Sequence, residues 1–107
     1  MCGFLGIAGK NNISEDNFVN AFNKINHRGP DESTIFTDIN FKLGFKRLKI
    51  LDLSENGRQP MSSNDKSITI IFNGEIYNYK SIKNILINSG VRFNGNSDTE
   101  VLLNYYI

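Results

Sequence analysis

The feature that most constrains the fold is a strictly alternating segment near the middle of the chain. Across residues 41–46, phenylalanine or leucine alternates with lysine or glycine, which is the pattern of a β-strand. The strand is predicted to run to residue 48, and residues 33–37 predict its partner, with residues 38–40 as the connecting turn. This hairpin predicts a largely antiparallel sheet.

The rest of the chain carries apolar runs typical of strands and capped, helically spaced runs typical of helices. Because strands and helices alternate irregularly, the predicted class is α+β. The predicted elements are strands at residues 3–9 and 67–72, helices at residues 15–26 after the N-cap Ser14, at residues 79–89 before Gly90, and from the capping box at residues 97–100, with loops at residues 27–32 and 54–65.

Length and composition exclude several classes of protein. The 107 residues suffice for one domain at most, and a net charge of +1 predicts neither a nucleic-acid nor a membrane partner. One cysteine and one histidine exclude a disulfide framework and predict that no metal is bound. No apolar run is long enough to span a bilayer or has the flanks of a signal peptide, so we expect a cytoplasmic protein.

Cys2 is the first candidate for chemistry. A lone cysteine is often a small buried apolar residue, and that interpretation stays open. At position 2, however, loss of Met1 would place the thiol beside a free α-amine, whose ordinary pKa is about 7.7–8.0. Nucleophile and base would then belong to one residue, as in N-terminal nucleophile enzymes, and no catalytic histidine would be needed.

The dipeptide Asn73-Gly74 has two interpretations. Asn-Gly is the commonest pair in type I′ hairpin turns. The same pair can form an oxyanion hole, since the asparagine amide and the glycine N–H are both able to point at one developing negative charge.

Three charged residues favour recognition of a free amino acid. Arg47 is either part of a solvated basic strand face or a fork that binds a carboxylate in bidentate fashion. Asp98 favours a helix N-terminus, and as an acceptor it is also suited to a substrate ammonium. With Glu75, these residues match the two charged ends of an amino acid.

Six sequence motifs occur in an order that resembles a known family. They are MCGFLGIAG at residues 1–9, HRGPD at 27–31, RLKILDL at 47–53, GRQPM at 57–61, FNGEIYNY at 72–79 and SDTE at 97–100. As a set they closely resemble the N-terminal glutaminase domain of glutamine-hydrolysing asparagine synthetases, which are class II glutamine amidotransferases. The resemblance runs from Cys2 to the last residue.

The resemblance implies a four-layer αββα N-terminal nucleophile hydrolase sandwich, of which residues 1–107 would form about the first half. It implies that Cys2 attacks the side-chain amide of L-glutamine and that Asn73 and Gly74 stabilise the oxyanion. The residues that it assigns to glutamine binding are Arg47 at the α-carboxylate, Glu75 and Asp98 at the α-ammonium, and Ile50, Leu51, Asn73 and Gly74 around the rest of the substrate.

Two departures from the family pattern bear on these expectations. Phe45 and Lys46 stand where the family more often has histidine and another polar or basic residue. The family's glutaminase domain is also longer, and a synthetase domain that binds ATP, Mg²⁺ and the acceptor aspartate follows it. Neither the rest of the glutaminase domain nor the synthetase domain is in this sequence. We therefore expect a segment that needs no cofactor and that is weak or inactive alone, because strand edges would stay exposed.

Two other functions stay open. One is a class II amidotransferase with a different acceptor, such as a sugar or a peptide. The other is a truncated, non-catalytic module that binds glutamine without turnover or caps a partner. A retained Met1 would block the α-amine and favour the non-catalytic module.

Overall fold

The computed structural model describes residues 1–9, 14–50 and 52–107. They divide into two compact units, Met1–Leu48 and Lys49–Ile107, and each is described by itself. Both combine strands with helices, which confirms the predicted α+β class. In the described part of the chain, no helix is long and apolar enough to cross a membrane.

The first unit is built on a three-stranded antiparallel sheet. Its elements are β1 (Gly3–Ala8), α1 (Glu15–Asn23), β2 (Glu32–Thr37) and β3 (Phe41–Arg47). The strand order is β1-β3-β2, so the predicted hairpin of β2 and β3 is confirmed, with Glu32 opposite Arg47. Helix α1 begins at its predicted cap, where the Ser14 hydroxyl accepts the Asn17 N–H. It ends before residue 26, and part of the predicted loop is a short 3-10 helix at Asn26–Arg28.

Helix α1 covers the side of β3 that carries its lysines and glycine. Phe18 and Phe22 of the helix are buried, with their ring centres 6.2 Å apart. A Cβ at Gly44 would lie 2.7 Å from the Phe22 ring, so glycine leaves the room that the helix needs here. Phe45, on the opposite side of the strand, is also buried. The alternation in β3 therefore gives buried side chains on both faces.

The interpretation of the basic residues in β3 as a solvated strand face is wrong. Lys42, Lys46 and Arg47 are all buried. The Lys42 ammonium pairs with Glu15 at 2.6 Å, and the Lys46 ammonium lies 4.0 Å from the centre of the Phe22 ring. Burial also lowers the pKa of Lys46, because desolvation disfavours the charged form.

The second unit consists of a short hairpin and two helices. Its elements are β4 (Met61–Ser62), β5 (Thr69–Ile70), α2 (Tyr79–Asn88) and α3 (Asp98–Tyr106). The strand predicted over residues 67–72 is limited to β5, which pairs antiparallel with β4. The predicted helices at residues 79–89 and after Ser97 are confirmed as α2 and α3.

The ends of these helices follow the sequence signals. Helix α2 ends at the predicted stop, where Gly90 has a φ of +95°. Helix α3 begins at the predicted capping box, where the Ser97 hydroxyl accepts the Glu100 N–H. The Glu100 carboxylate accepts the N–H groups of Asn94 and Gly95, at 2.7 and 2.8 Å. It therefore fixes the loop before α3.

Candidate active site

Cys2 lies at the end of the first sheet where β1 begins and β3 ends. Its thiol is free of any disulfide and half-buried. The Leu48 N–H donates to Sγ at 3.2 Å, and the thiol in turn donates to the Leu48 carbonyl oxygen at 3.5 Å. Main-chain polar groups just after β3 therefore hold the sulfur. A purely apolar side chain would make no such hydrogen bonds.

Arg28 holds the main chain of Cys2. Its Nε donates to the Cys2 carbonyl at 3.3 Å, and a Cβ at Gly3 would lie 2.8 Å from the Arg28 Cβ. The next residue, Gly29, lies against the Lys46 backbone, where any side chain would overlap. The signal for Arg28 in the sequence was its place in the HRGPD motif, whose residues had no predicted individual roles.

Arg47 is the last residue of β3, and its guanidinium is bound by a carboxylate of its own unit. Nη1 donates to Glu32 Oε2 at 3.1 Å, and Glu32 lies directly opposite on β2. The two side chains are only 6% and 11% exposed. Because Leu48 follows Arg47, the guanidinium residue and Cys2 belong to the same end of the sheet.

The Asn73-Gly74 pair lies in an irregular segment between β5 and α2. The hairpin-turn interpretation is wrong, because no strand follows before α2 and neither residue has the positive φ of a type I′ turn. Asn73 is half-buried and Gly74 is exposed. A Cβ at Gly74 would lie 2.7 Å from the Phe72 ring. The oxyanion-hole interpretation stays a prediction for this pair.

Two buried side chains hold the residues on either side of Asn73-Gly74. The Gln59 carboxamide accepts the Phe72 N–H at 2.6 Å and donates to the Phe72 carbonyl at 3.1 Å. The Asp98 carboxylate accepts the Ile76 N–H at 3.0 Å through Oδ2. Asp98, the first residue of α3, was a predicted site residue, whereas Gln59 was not. The sequence signal for Gln59 was the GRQPM motif.

The other predicted residues are exposed or lie outside the described ranges. Glu75 is exposed, and Ile50 is 69% exposed. Leu51 lies outside the described residues. The predicted site residues therefore divide between the units, with Cys2 and Arg47 in the first, and Ile50, Asn73, Gly74, Glu75 and Asp98 in the second.

A cavity of about 400 Å³ lies in the second unit. Arg92, Asn94 and Glu100 are among its lining residues. The lining includes none of the described residues predicted to bind glutamine, so the cavity is a separate feature. Within residues 1–9, 14–50 and 52–107, no group of three or more histidine, cysteine, aspartate or glutamate side chains could hold a metal ion.

Comparison with known proteins assigns the family. Residues 1–107 match the family described as the glutamine amidotransferase domain. The chain is 45% identical over 111 residues to the glutamine-hydrolyzing asparagine synthetase 1 of Bacillus subtilis, a match that covers 99% of this chain and 17% of that protein. Over 109 residues it is 36% identical to the glutamine-hydrolyzing asparagine synthetase of Brassica oleracea and 34% identical to that named 1 in Arabidopsis thaliana, covering 99% of this chain and 18% of each relative.

The chain thus spans less than a fifth of the length of these relatives. The family match extends over all of its residues, and the resemblance inferred from the six motifs is confirmed. The chain belongs to the glutamine amidotransferase domain family.

Proposed function

We propose that this chain, as part of a longer parent protein, hydrolyses glutamine to glutamate and ammonia through a thioester on Cys2. The chain belongs to the glutamine amidotransferase domain family, and the observation that carries the proposal is that two hydrogen bonds hold Cys2 in place. Leu48 donates to its sulfur, and Arg28 donates to its carbonyl. A nucleophile fixed at both its main chain and its side chain is oriented before substrate binds, which lowers the entropic part of the barrier.

The proposed reaction begins when the free α-amine of Cys2, exposed by removal of Met1, accepts the thiol proton. The thiolate attacks the side-chain amide carbon of glutamine, forming a C–S bond and an oxyanion. The proton passes from the ammonium to the leaving nitrogen as the C–N bond breaks. Ammonia departs, and a glutamyl thioester remains. Water then attacks the thioester with the amine as base, releasing glutamate and restoring the thiol.

The Asn73 side-chain amide and the Gly74 N–H stabilise the oxyanion in this proposal. In enzymes with an oxyanion hole, removing one such donor lowers kcat by about 10²–10³. The support is that the main chain is hydrogen-bonded just before the pair, at Phe72, and just after it, at Ile76. Donors on a segment fixed at both flanks need little reorganisation when charge develops.

The proposed glutamine-binding residues are Arg47 for the α-carboxylate, Glu75 and Asp98 for the α-ammonium, and main-chain groups of Ile50 and Leu51. Asp98 uses Oδ2 for the Ile76 N–H, and in this proposal Oδ1 accepts from the ammonium. Glu32 holds the Arg47 guanidinium through Nη1 and so fixes the plane in which the substrate carboxylate would bind.

We further propose that the ammonia serves asparagine synthesis from aspartate and ATP in a longer parent protein. The support is that the relatives are glutamine-hydrolyzing asparagine synthetases and that the chain spans a small share of their length. ATP and Mg²⁺ would belong to the synthetase domain of that parent. A different acceptor is tested by supplying the complete gene product with aspartate, sugar phosphates or peptides and measuring which consumes the ammonia.

The test of the glutaminase proposal is the intact mass of the complete gene product after reaction with a diazo-ketone analogue of glutamine. We expect a single adduct on a chain that lacks Met1, and no adduct on Cys2→Ala. Ammonia release from glutamine is measured on the same preparation. A retained Met1, or an adduct that persists in Cys2→Ala, would overturn the thioester mechanism. Glutamine binding without adduct or ammonia would identify the non-catalytic module instead.

A further inference from the structure

The Gln59 side chain continues the β4–β5 ladder beyond the point where main-chain pairing stops. Met61 lies opposite Ile70, and the same antiparallel register places residue 59 opposite residue 72. Strand β4 begins at Met61, so main-chain pairing does not reach residue 59. Instead, the Gln59 carboxamide accepts the Phe72 N–H and donates to the Phe72 carbonyl. These are the two hydrogen bonds that a paired strand residue would make.

Gln59 is also tied to the first turn of α3. Its Nε2 donates to Thr99 Oγ1 at 3.1 Å, and the two residues are 7% and 3% exposed. Thr99 follows Asp98, whose carboxylate accepts the Ile76 N–H. The contacts on the two sides of Asn73-Gly74 therefore converge on one helical turn.

We infer that Gln59 is a positioning residue for the oxyanion hole. This inference rests on the proposed function, since Gln59 acts only through Asn73 and Gly74. With the Phe72 N–H and carbonyl both bound, the residue before Asn73 has a fixed position and peptide orientation. Loss of the carboxamide leaves the charges that bind glutamine in place but lets the oxyanion donors move away from their best geometry.

The test compares Gln59→Met with Ser63→Ala in the complete gene product. Methionine keeps the length of glutamine but makes none of its hydrogen bonds. Ser63 is the matched control, because it is also 7% exposed and its hydroxyl binds the Ile68 N–H in the turn of the same hairpin. For Gln59→Met we expect kcat for ammonia release to fall about 10- to 100-fold, with KM for glutamine within about twofold. Ser63→Ala should keep kcat.

A double-mutant cycle separates positioning from general destabilisation. In an Asn73→Ala background, Gln59→Met should lower kcat less than about threefold, because one of the donors that it positions is already gone. Gln59→Met should not change the rate at which iodoacetamide alkylates Cys2, since the alkylation reaction forms no oxyanion. An equal loss of kcat in both backgrounds, or an equal loss in Ser63→Ala, would overturn the inference.

A second variant covers the case in which Gln59→Met does not fold. Gln59→Asn keeps the carboxamide but is one methylene shorter, so it cannot make all three hydrogen bonds of Gln59, and the same cycle applies to it with a smaller expected loss. The wild-type chain and Cys2→Ala decide the proposed function separately. Absence of ammonia release by wild type, or release that survives Cys2→Ala, overturns the glutaminase proposal itself. Cys2-dependent release with full kcat in both Gln59 variants overturns the positioning role alone.

Discussion

The two units hold their proposed functional residues in different ways. In the first, Cys2 and Arg47 are placed by a sheet in which β3 pairs six residues with each neighbour. In the second, β4 and β5 pair two residues each, and the segment of Asn73 is held by the side chains of Gln59 and Asp98. In a ladder, many main-chain hydrogen bonds hold the strand, so the loss of one leaves the rest in place. A segment held by one or two side chains loses its support when one of them is replaced. The units should therefore break under different substitutions.

The largest effect is expected from Gly29→Ala, which acts on the ladder of the first unit. A Cβ there overlaps the Lys46 backbone in the central strand, and a strand paired on both sides cannot move aside as a side chain can. We expect the free energy of unfolding to fall by more than about 3 kcal/mol, measured by denaturant titration with circular dichroism. His27→Ala, at an exposed residue of the same motif, is the control and should cost less than about 0.5 kcal/mol. An unchanged unfolding midpoint for Gly29→Ala would contradict this expectation, because it would show that β3 can shift to make room for the added Cβ.

A smaller effect is expected from Glu32→Ala, which removes the carboxylate that pairs with buried Arg47. We expect a loss of about 1.5–3 kcal/mol together with a raised KM for glutamine, because Arg47 loses one of the groups that orient it. Glu15→Ala is the matched control, since it breaks a second ion pair of β3, in which Glu15 is 60% exposed. It should leave KM unchanged, because Lys42 is not part of the proposed glutamine site. Equal effects of the two variants would mean that the sheet alone orients Arg47.

In the second unit, Glu100→Gln should loosen one loop and little else. The amide keeps one acceptor for the N–H groups of Asn94 and Gly95 and turns a donor toward the other. We expect a loss of about 2 kcal/mol and faster amide hydrogen exchange at residues 94–96, with the exchange of β1 and β3 unchanged. Glu55→Gln, at an exposed residue, is the control. Faster exchange throughout both units would contradict the local role of the Glu100 carboxylate.

Local signals in the sequence predicted most of the elements, because each signal resides in adjacent residues. The cap at Ser14, the alternation in β3 and the stop at Gly90 are all of this kind. The face of β3 that α1 covers could not be predicted in the same way. It depends on the space at Gly44 that receives the Phe22 ring, and the hydrophobic pattern alone favours the opposite face.

The candidate site shows the same division. Sequence motifs predicted Cys2 and Asp98 as site residues. The contacts that hold the site residues, however, join positions far apart in the chain. Arg28 and the Cys2 carbonyl are 26 residues apart, and Gln59 and Phe72 are 13 apart. Such contacts follow from tertiary packing, and no local pattern encodes which carbonyl or N–H a buried polar side chain will reach.

The smallest expected effect concerns Asp65, in the turn between β4 and β5. Hydrogen bonds from the Ser63 hydroxyl, and from the N–H and hydroxyl of Ser67, lower the pKa of this carboxyl from 3.8 to about 2. Because the pKa in the folded state lies below its ordinary value, the ionised carboxylate stabilises the turn above a pH of 3.8. That contribution is lost as the pH falls through about 2.

Titration of the Asp65 carboxyl carbon by NMR checks this expectation and sharpens the contrast between the units. We expect a midpoint near 2 in the wild-type chain, and in Ser63→Ala a midpoint raised toward 3.8, since the Ser63 hydrogen bond is the largest cause of the shift. Asn64→Ala, at the exposed neighbouring residue, should leave the midpoint where it is. A wild-type midpoint near 3.8 would show that the turn forms without the carboxylate. One side chain would then matter less to the second unit than its short ladder does.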